Sequence, residues 1–195
     1  SDETIQQLLE VSARAPSGGN VQPWRIYVIN GQSMERFRTF MGDQKTSESE
    51  YPVYPEGLHE PYRTNRYALG EAMYEKMGVG REDKAARYAH LARNFDFFDA
   101  PAAFFCFVDR KMGSAQWSDL GMFLQTFMLL AVEAGLDTCP QEAWANHWKA
   151  VQNFVQAPDN EMLFCGMAIG KRDETKKVNT LRSERMPFGD WGKFV

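Results

Sequence analysis

The chain has 195 residues, 44% of them hydrophobic, enough for one domain with a proper core. Its net charge of −4 and pI near 5.5 leave no basic face for nucleic acid, and no apolar run approaches the length of a membrane span. Cys106, Cys139 and Cys165 form no CxxC pair, and Cys106 and Cys165 in apolar strand-like runs fit buried thiols in a reducing, cytoplasmic setting, while His59, His90 and His147 are too scattered for a metal site.

The first helix is expected from Asp2 to about Ala15, capped by Ser1 or Asp2, with Ile5, Leu8, Leu9 and Ala13 on one face. No signal-peptide pattern precedes it. Pro16-Ser17-Gly18-Gly19-Asn20 is a break of turn formers, and Arg25 to Ile29 reads as a strand closed by an Asn30-Gly31 turn. Ser33 to Met41 is a short helix with Met34, Phe37 and Met41 inward.

From Gly42 to Glu60 the chain is polar and proline-punctuated, a loop with an aromatic patch. Helices follow at Tyr62 to Met77 and Glu82 to Phe95, the second with Ala85, Tyr88, Ala89 and Ala92 as its expected buried face. Residues 42–95 are too poor in branched aliphatics for a core of their own and are expected to be a lid-like insertion on a single domain spanning 1–195.

Ala102 to Val108 is a buried strand. Ser118 to Ala134 is a helix apolar nearly all round, placing it at the centre of a core or an interface, with Gly135 as its C-cap. Gly135 to Ala143 reads as a loop, Trp144 to Val155 as a helix with Trp144, Trp148, Val151 and Val155 aligned, and Met162 to Ile169 as the third strand. Beyond a solvated charge run, Lys171 to Lys177, lie Leu181, Met186, Phe188, Trp191, Phe194 and Val195 without clear periodicity. Apolar groups of that size are costly to leave in water, so residues 171–195 are expected to dock as an arm, most simply on a second copy of the chain.

Three stretches carry chemistry. In Pro16 to Trp24, glycines permit close backbone approach, and Ser17, Asn20 and Gln22 offer directed hydrogen bonds; a plain helix-to-strand turn anchored by Trp24 is the alternative. In Gly135 to Ala143, backbone N–H groups preceding a helix are free to donate, or the segment is only a connector. In Asn179 to Arg185, Arg182 and Arg185 can hold phosphate as bidentate forks or form surface ion pairs.

Together, in this order and spacing, PSGGNVQPW, GMFLQTFMLLAVEAGLDTCPQ and GKRDETKKVNTLRSER resemble the FMN-dependent nitroreductase family, and NFDFFDAPA resembles that family's lead into its middle strand. The resemblance implies an α+β fold with a mixed central sheet flanked by helices, in a domain-entwined homodimer with FMN at the interface. It implies that Pro16, Ser17, Gly18 and Asn20 face flavin bound mainly by the partner, that Pro140, Gln141 and Glu142 run beside the isoalloxazine with a backbone N–H near Glu142 aimed at N5, and that Arg185 and Arg182 hold the phosphate. The implied activity passes reducing equivalents from NADH or NADPH, through the flavin, to a nitroaromatic, quinone or similar electron-poor acceptor. The protein's part is position and electrostatics, so no catalytic side chain is assigned. Tyr51, Tyr54, Tyr62, Arg63, Arg66 and Tyr67 would shape the substrate mouth or simply pack.

The family usually opens with an Arg-Arg-Ser-x-Arg segment that contacts phosphate and flavin, and this sequence starts after that point. Each charged hydrogen bond so lost would weaken flavin binding by about 1.5–3 kcal/mol. Reductive dehalogenation, flavin fragmentation and a non-catalytic flavin-binding module are the alternative functions on the same fold.

Overall fold

The computed structural model describes residues 1–195 as two units, Ser1–Val53 with Ala92–Arg172, and Tyr54–Leu91 with Asp173–Val195. In the first, α1 (Asp2–Ser12) leads through a 3-10 turn (Gly18–Asn20) into β1 (Arg25–Asn30) and α2 (Gly31–Gly42). A 3-10 segment (Arg93–Asp99) precedes β2 (Ala102–Asp109). Then come α5 (Ser114–Glu133), β3 (Asp137–Gln141), a 3-10 turn (Glu142–His147), α6 (Trp148–Val155) and β4 (Glu161–Gly170). The second unit holds α3 (Tyr62–Met77), α4 (Lys84–Ala92, reaching the boundary), a 3-10 turn (Lys177–Thr180) and the single helical turn α7 (Phe188–Trp191).

The strands form one sheet in the order β1-β2-β4-β3. The fold is α+β as expected, but all three pairings are antiparallel, where a mixed sheet was expected. No strand of the chain returns beside another by a parallel crossover, so each ladder runs antiparallel.

Both faces of the sheet are covered, which is why β2 is apolar at every position rather than alternating with polar residues. Ala102, Phe104, Cys106 and Val108 pack with Leu120, Phe123 and Phe127 of α5 and Ile5 of α1. Ala103, Phe105 and Phe107 face Met34 and Phe37 of α2, Val151 of α6, Phe97 and Trp144. Period-two alternation thus sorts one strand between two cores. Burial pushes the Cys106 and Cys165 thiols up, which leaves them as inert packing groups.

Several boundaries differ from expectation. α1 ends at Ser12, since Arg14 and Ala15 already bond three residues back ahead of Pro16. Asn30 is not part of a turn that closes the strand. It caps α2, its N–H donating to the Ser33 hydroxyl at 2.8 Å. α4 stops at Ala92, with Phe97 and Phe98 left-handed (φ 52° each) in the 3-10 segment that follows. Its expected buried face is outward: Ala85, Ala89 and Ala92 are exposed and Tyr88 is 70% exposed. α5 begins at Ser114, where the Gln116 side chain accepts the Gly113 N–H, and Gly135 (φ +73°) ends it. Residues 137–141 form an edge strand rather than a loop. Pro140 is tolerated there because β3 pairs on one side only. Trp144 lies in the 3-10 turn and only Trp148 in α6, so the two do not share a helix face.

α5 is not buried all round. Met122, Leu129 and Val132 form an outward stripe, with Leu129 63% and Val132 62% exposed. In the second unit, Arg87 pairs with Glu71 at 2.7 Å and lies over the Tyr74 ring, joining α3 to α4. Its C-terminal residues stay apolar and open: Trp191 is 66% and Phe194 94% exposed.

Candidate active site

The glycine turn is held from below. The Gly18 N–H donates to both carboxylate oxygens of Asp119 at 3.2 and 3.3 Å, and Asp119 is only 4% exposed. The Ser17 hydroxyl accepts the Gln22 N–H at 3.0 Å. Gly19 (φ 57°), Asn20 (φ 60°) and Gln22 (φ 51°) are left-handed, a run that only glycine adopts freely. Trp24 stacks on Phe123 at 4.8 Å and locks the turn to α5. Pro16, Gly18 and Asn20 are exposed, and a side-chain carbon on Gly18 or Gly19 would meet nothing within 4 Å. The turn therefore presents bare backbone outward, as close contact with a planar ligand requires.

The Pro140-Gln141-Glu142 stretch closes the opposite edge. Gln141 is buried and donates to the Asn94 carbonyl at 2.8 Å, while Pro140 and Glu142 are exposed. Protein around the Glu142 carboxyl raises its pKa by burial, although the residue as a whole is on the surface. Immediately after it, Trp144 and His147 are buried, and Gln141 Oε1, Trp144 Nε1 and His147 Nδ1 have no hydrogen-bond partner.

The register fixes how these two stretches relate. Arg25, where the first enters the sheet, lies across from Phe107, which pairs with Leu163; Gln141 pairs with Gly166. Both stretches thus lie toward the same end of the sheet, on opposite edge strands that are themselves three strand spacings, or about 14 Å, apart.

Arg182 and Arg185 belong to the second unit. Arg182 Nη1 donates to the Leu181 carbonyl at 3.1 Å, and Arg185 Nη1 to the Ser183 hydroxyl at 2.6 Å and the Glu184 carbonyl at 3.0 Å. With all these partners in their own segment and neither in an ion pair, both exposed guanidiniums retain donors for an anion. In the same unit Arg66 lies 4.0 Å over the Tyr54 ring, and Tyr62 and Tyr67 are exposed.

Sequence reasoning missed Asp119, although a carboxylate beside the apolar run of a helix was a usable signal. It also missed the Gly166–Trp144 contact and the anchoring of Tyr51 described below, which join residues far apart in sequence.

An antiparallel sheet between two helical layers, with exposed turns at one end of opposite edges, is the nitroreductase fold. The chain belongs to that family: the nitroreductase family model matches residues 1–171. It is 34% identical to the chloronitrobenzene nitroreductase of Comamonas testosteroni, over 99% of this chain and 87% of that protein. It is also 34% identical to the 4-nitrobenzoate reductase of Pseudomonas putida, over 95% of this chain and 82% of that protein. The crystal structure of the FMN- and NADPH-dependent nitroreductase NfnB from sphigopyxis sp. strain HMH superposes with a TM-score of 0.94 at 37% identity, covering all of this chain and 90% of that one. No helix is long and apolar enough to cross a membrane.

Proposed function

We propose that the chain is an FMN-dependent reductase that acts as a homodimer on nitroaromatic or other electron-poor acceptors, quinones included, with NADPH or NADH as donor. One observation supports the reading: the glycine turn leads into edge strand β1 and the Pro140–Glu142 stretch closes the opposite edge strand β3, so a second copy can bring the one against the other. The outward Met122–Leu129–Val132 stripe on α5 and the exposed apolar residues of 171–195 supply surfaces for that association. The named activities of the relatives from Comamonas testosteroni and Pseudomonas putida support the acceptor class, and the NfnB likeness supports cofactor and donor.

The residues fit a flavin. Arg185 and Arg182 would hold its phosphate through guanidinium donors that face no carboxylate. Backbone at Pro140–Glu142 would flank the ring from one copy, and the bare turn Pro16–Asn20 would cover it from the other. When bound, FMN supplies a carrier that takes hydride from a nicotinamide and delivers it to the acceptor. The protein orients the ring and excludes competitors. Free Cys106, Cys139 and Cys165 fit a cytoplasmic setting.

An anaerobic visible spectrum of protein reconstituted with FMN tests this, read before and after NADPH or NADH, with sedimentation to give the subunit number. A bound flavin band that bleaches with donor and returns with 4-nitrobenzoate or a quinone, on a dimer, is the expected result. A protein that binds no FMN, or a monomer that turns over, overturns the reading.

A further inference from the structure

Where Gln141 pairs with Gly166, β3 ends and the turn Glu142–His147 begins. Gln141 donates to the Asn94 carbonyl and the Asn146 side chain to the Ala143 carbonyl, while Gln141 Oε1, Trp144 Nε1 and His147 Nδ1 have no partner. The turn is also tied to a strap, residues 47–51, almost a hundred positions earlier in the chain. The Ser47 N–H donates to the Asn146 carbonyl at 2.8 Å, the Glu50 N–H to the Ala145 carbonyl at 3.0 Å, and Trp148 Nε1 to the Glu48 carbonyl at 3.1 Å. Arg110 pins the strap through Glu50, whose side chain is 4% exposed, at 2.5 Å.

The strap ends on β4. Phe107 of β2 pairs with Leu163 and Cys106 with Cys165, leaving Phe164 as a bulged residue without a partner on β2. The Tyr51 hydroxyl donates to the Phe164 carbonyl. The Tyr51 ring meets Trp117 edge-on at 5.3 Å, and Trp117 meets Phe164 at 5.3 Å. The bulge lies two residues from Gly166, the partner of Gln141 at the end of β3. Burial first, then the nearby Glu142 carboxylate, push the Tyr51 hydroxyl up, so it remains a donor at any working pH.

We propose that Tyr51 is a positioning residue: through the Phe164 carbonyl and the strap it sets the height of the Glu142–His147 turn, and so of the backbone N–H that faces the flavin. This rests on the flavin reading above. Catalysis is sensitive to such placement, because a displacement of about 1 Å costs on the order of a hundredfold in rate.

The test is Tyr51→Phe, which keeps the ring and removes the donor, with Trp148→Phe loosening the other end of the strap as a second variant. Hydrogen exchange on the flavin-free protein should quicken over residues 141–147 and stay unchanged over β2. With FMN at full stoichiometry, flavin reduction by NADPH should slow about tenfold in Tyr51→Phe with the NADPH KM little changed. Unchanged exchange in both variants overturns the inference. So does an unchanged reduction rate at equal flavin content, which would make Tyr51 a stabilising residue only. A wild-type protein that takes up no FMN overturns the flavin reading and the inference with it, whereas a loaded wild type alongside an unaffected Tyr51→Phe overturns the inference alone.

Discussion

The indole of Trp144 lies on the backbone of Gly166: a side-chain carbon there would stand 2.4 Å from Trp144 Cδ1 and 2.7 Å from Nε1. The notch left by the missing side chain lets a fully buried Trp144 fold back over β4 one turn after Gln141. Phe97 closes the same space at 3.0 Å from that position, so neither ring can retreat. Gly166→Ala is expected to destabilise the protein by about 1–3 kcal/mol through overpacking, read as a lower denaturant midpoint at unchanged slope.

Asp119 supports the glycine turn from within α5. Asp119→Ala leaves the Gly18 N–H without its charged acceptor and is expected to cost about 1.5–3 kcal/mol. Asp119→Asn keeps one acceptor oxygen and should cost less. Chemical denaturation of both variants orders them, and equal loss in the two would show that the charge rather than the acceptor matters.

Arg185→Ala is expected to weaken FMN binding by about tenfold to a hundredfold, the worth of a charge-assisted phosphate contact, and Arg182→Ala by less. Their partners are local oxygens, so stability should be nearly untouched. Flavin titration followed by fluorescence, set beside thermal midpoints, separates the two effects.

His147 gives a pH dependence with a definite sign. It is 6% exposed between Phe95 and Trp144, and burial holds its pKa below the ordinary 6.5. The unfolded chain therefore binds a proton more readily, so stability is full above 6.5 and falls as pH drops below that value. The Asp137 carboxylate, held low by its hydrogen bonds to Arg172, loses stability only below its ordinary 3.8, outside this window. Glu142, raised by burial, acts in the opposite sense as pH rises above 4.5. Denaturation midpoints between about pH 7.5 and about pH 5.5 should fall in the wild type and flatten in His147→Phe, which isolates the imidazole.

The elements legible in the sequence are those whose burial is self-contained. The run Ala102–Val108 and the core of α5 declare themselves because every residue packs within the chain. Residues 137–141 do not, because Thr-Cys-Pro-Gln has no strand pattern and becomes one only by pairing with β4. The apolar face of α4 was visible, but not whether anything in the chain covers it, and nothing in its own unit buries Tyr88. The glycine turn and the Pro140–Glu142 stretch were found as motifs. The brace beneath the second one was not, since Tyr51 and Phe164 stand 113 positions apart and meet only through a bulge.

The placement of the two stretches on opposite edges of one sheet has a genetic consequence. If each site takes Pro16–Asn20 from one copy and Pro140–Glu142 from the other, a lesion in either stretch spoils both sites of a dimer. A mixed dimer carrying one lesion of each kind gathers both faults in one site and leaves the other whole. Two inactive variants, one altered at Asn20 and one at Glu142, should therefore restore about half of wild-type activity per mixed dimer when co-expressed and purified with two different tags. Mixed dimers without activity would place both stretches of a site on the same chain.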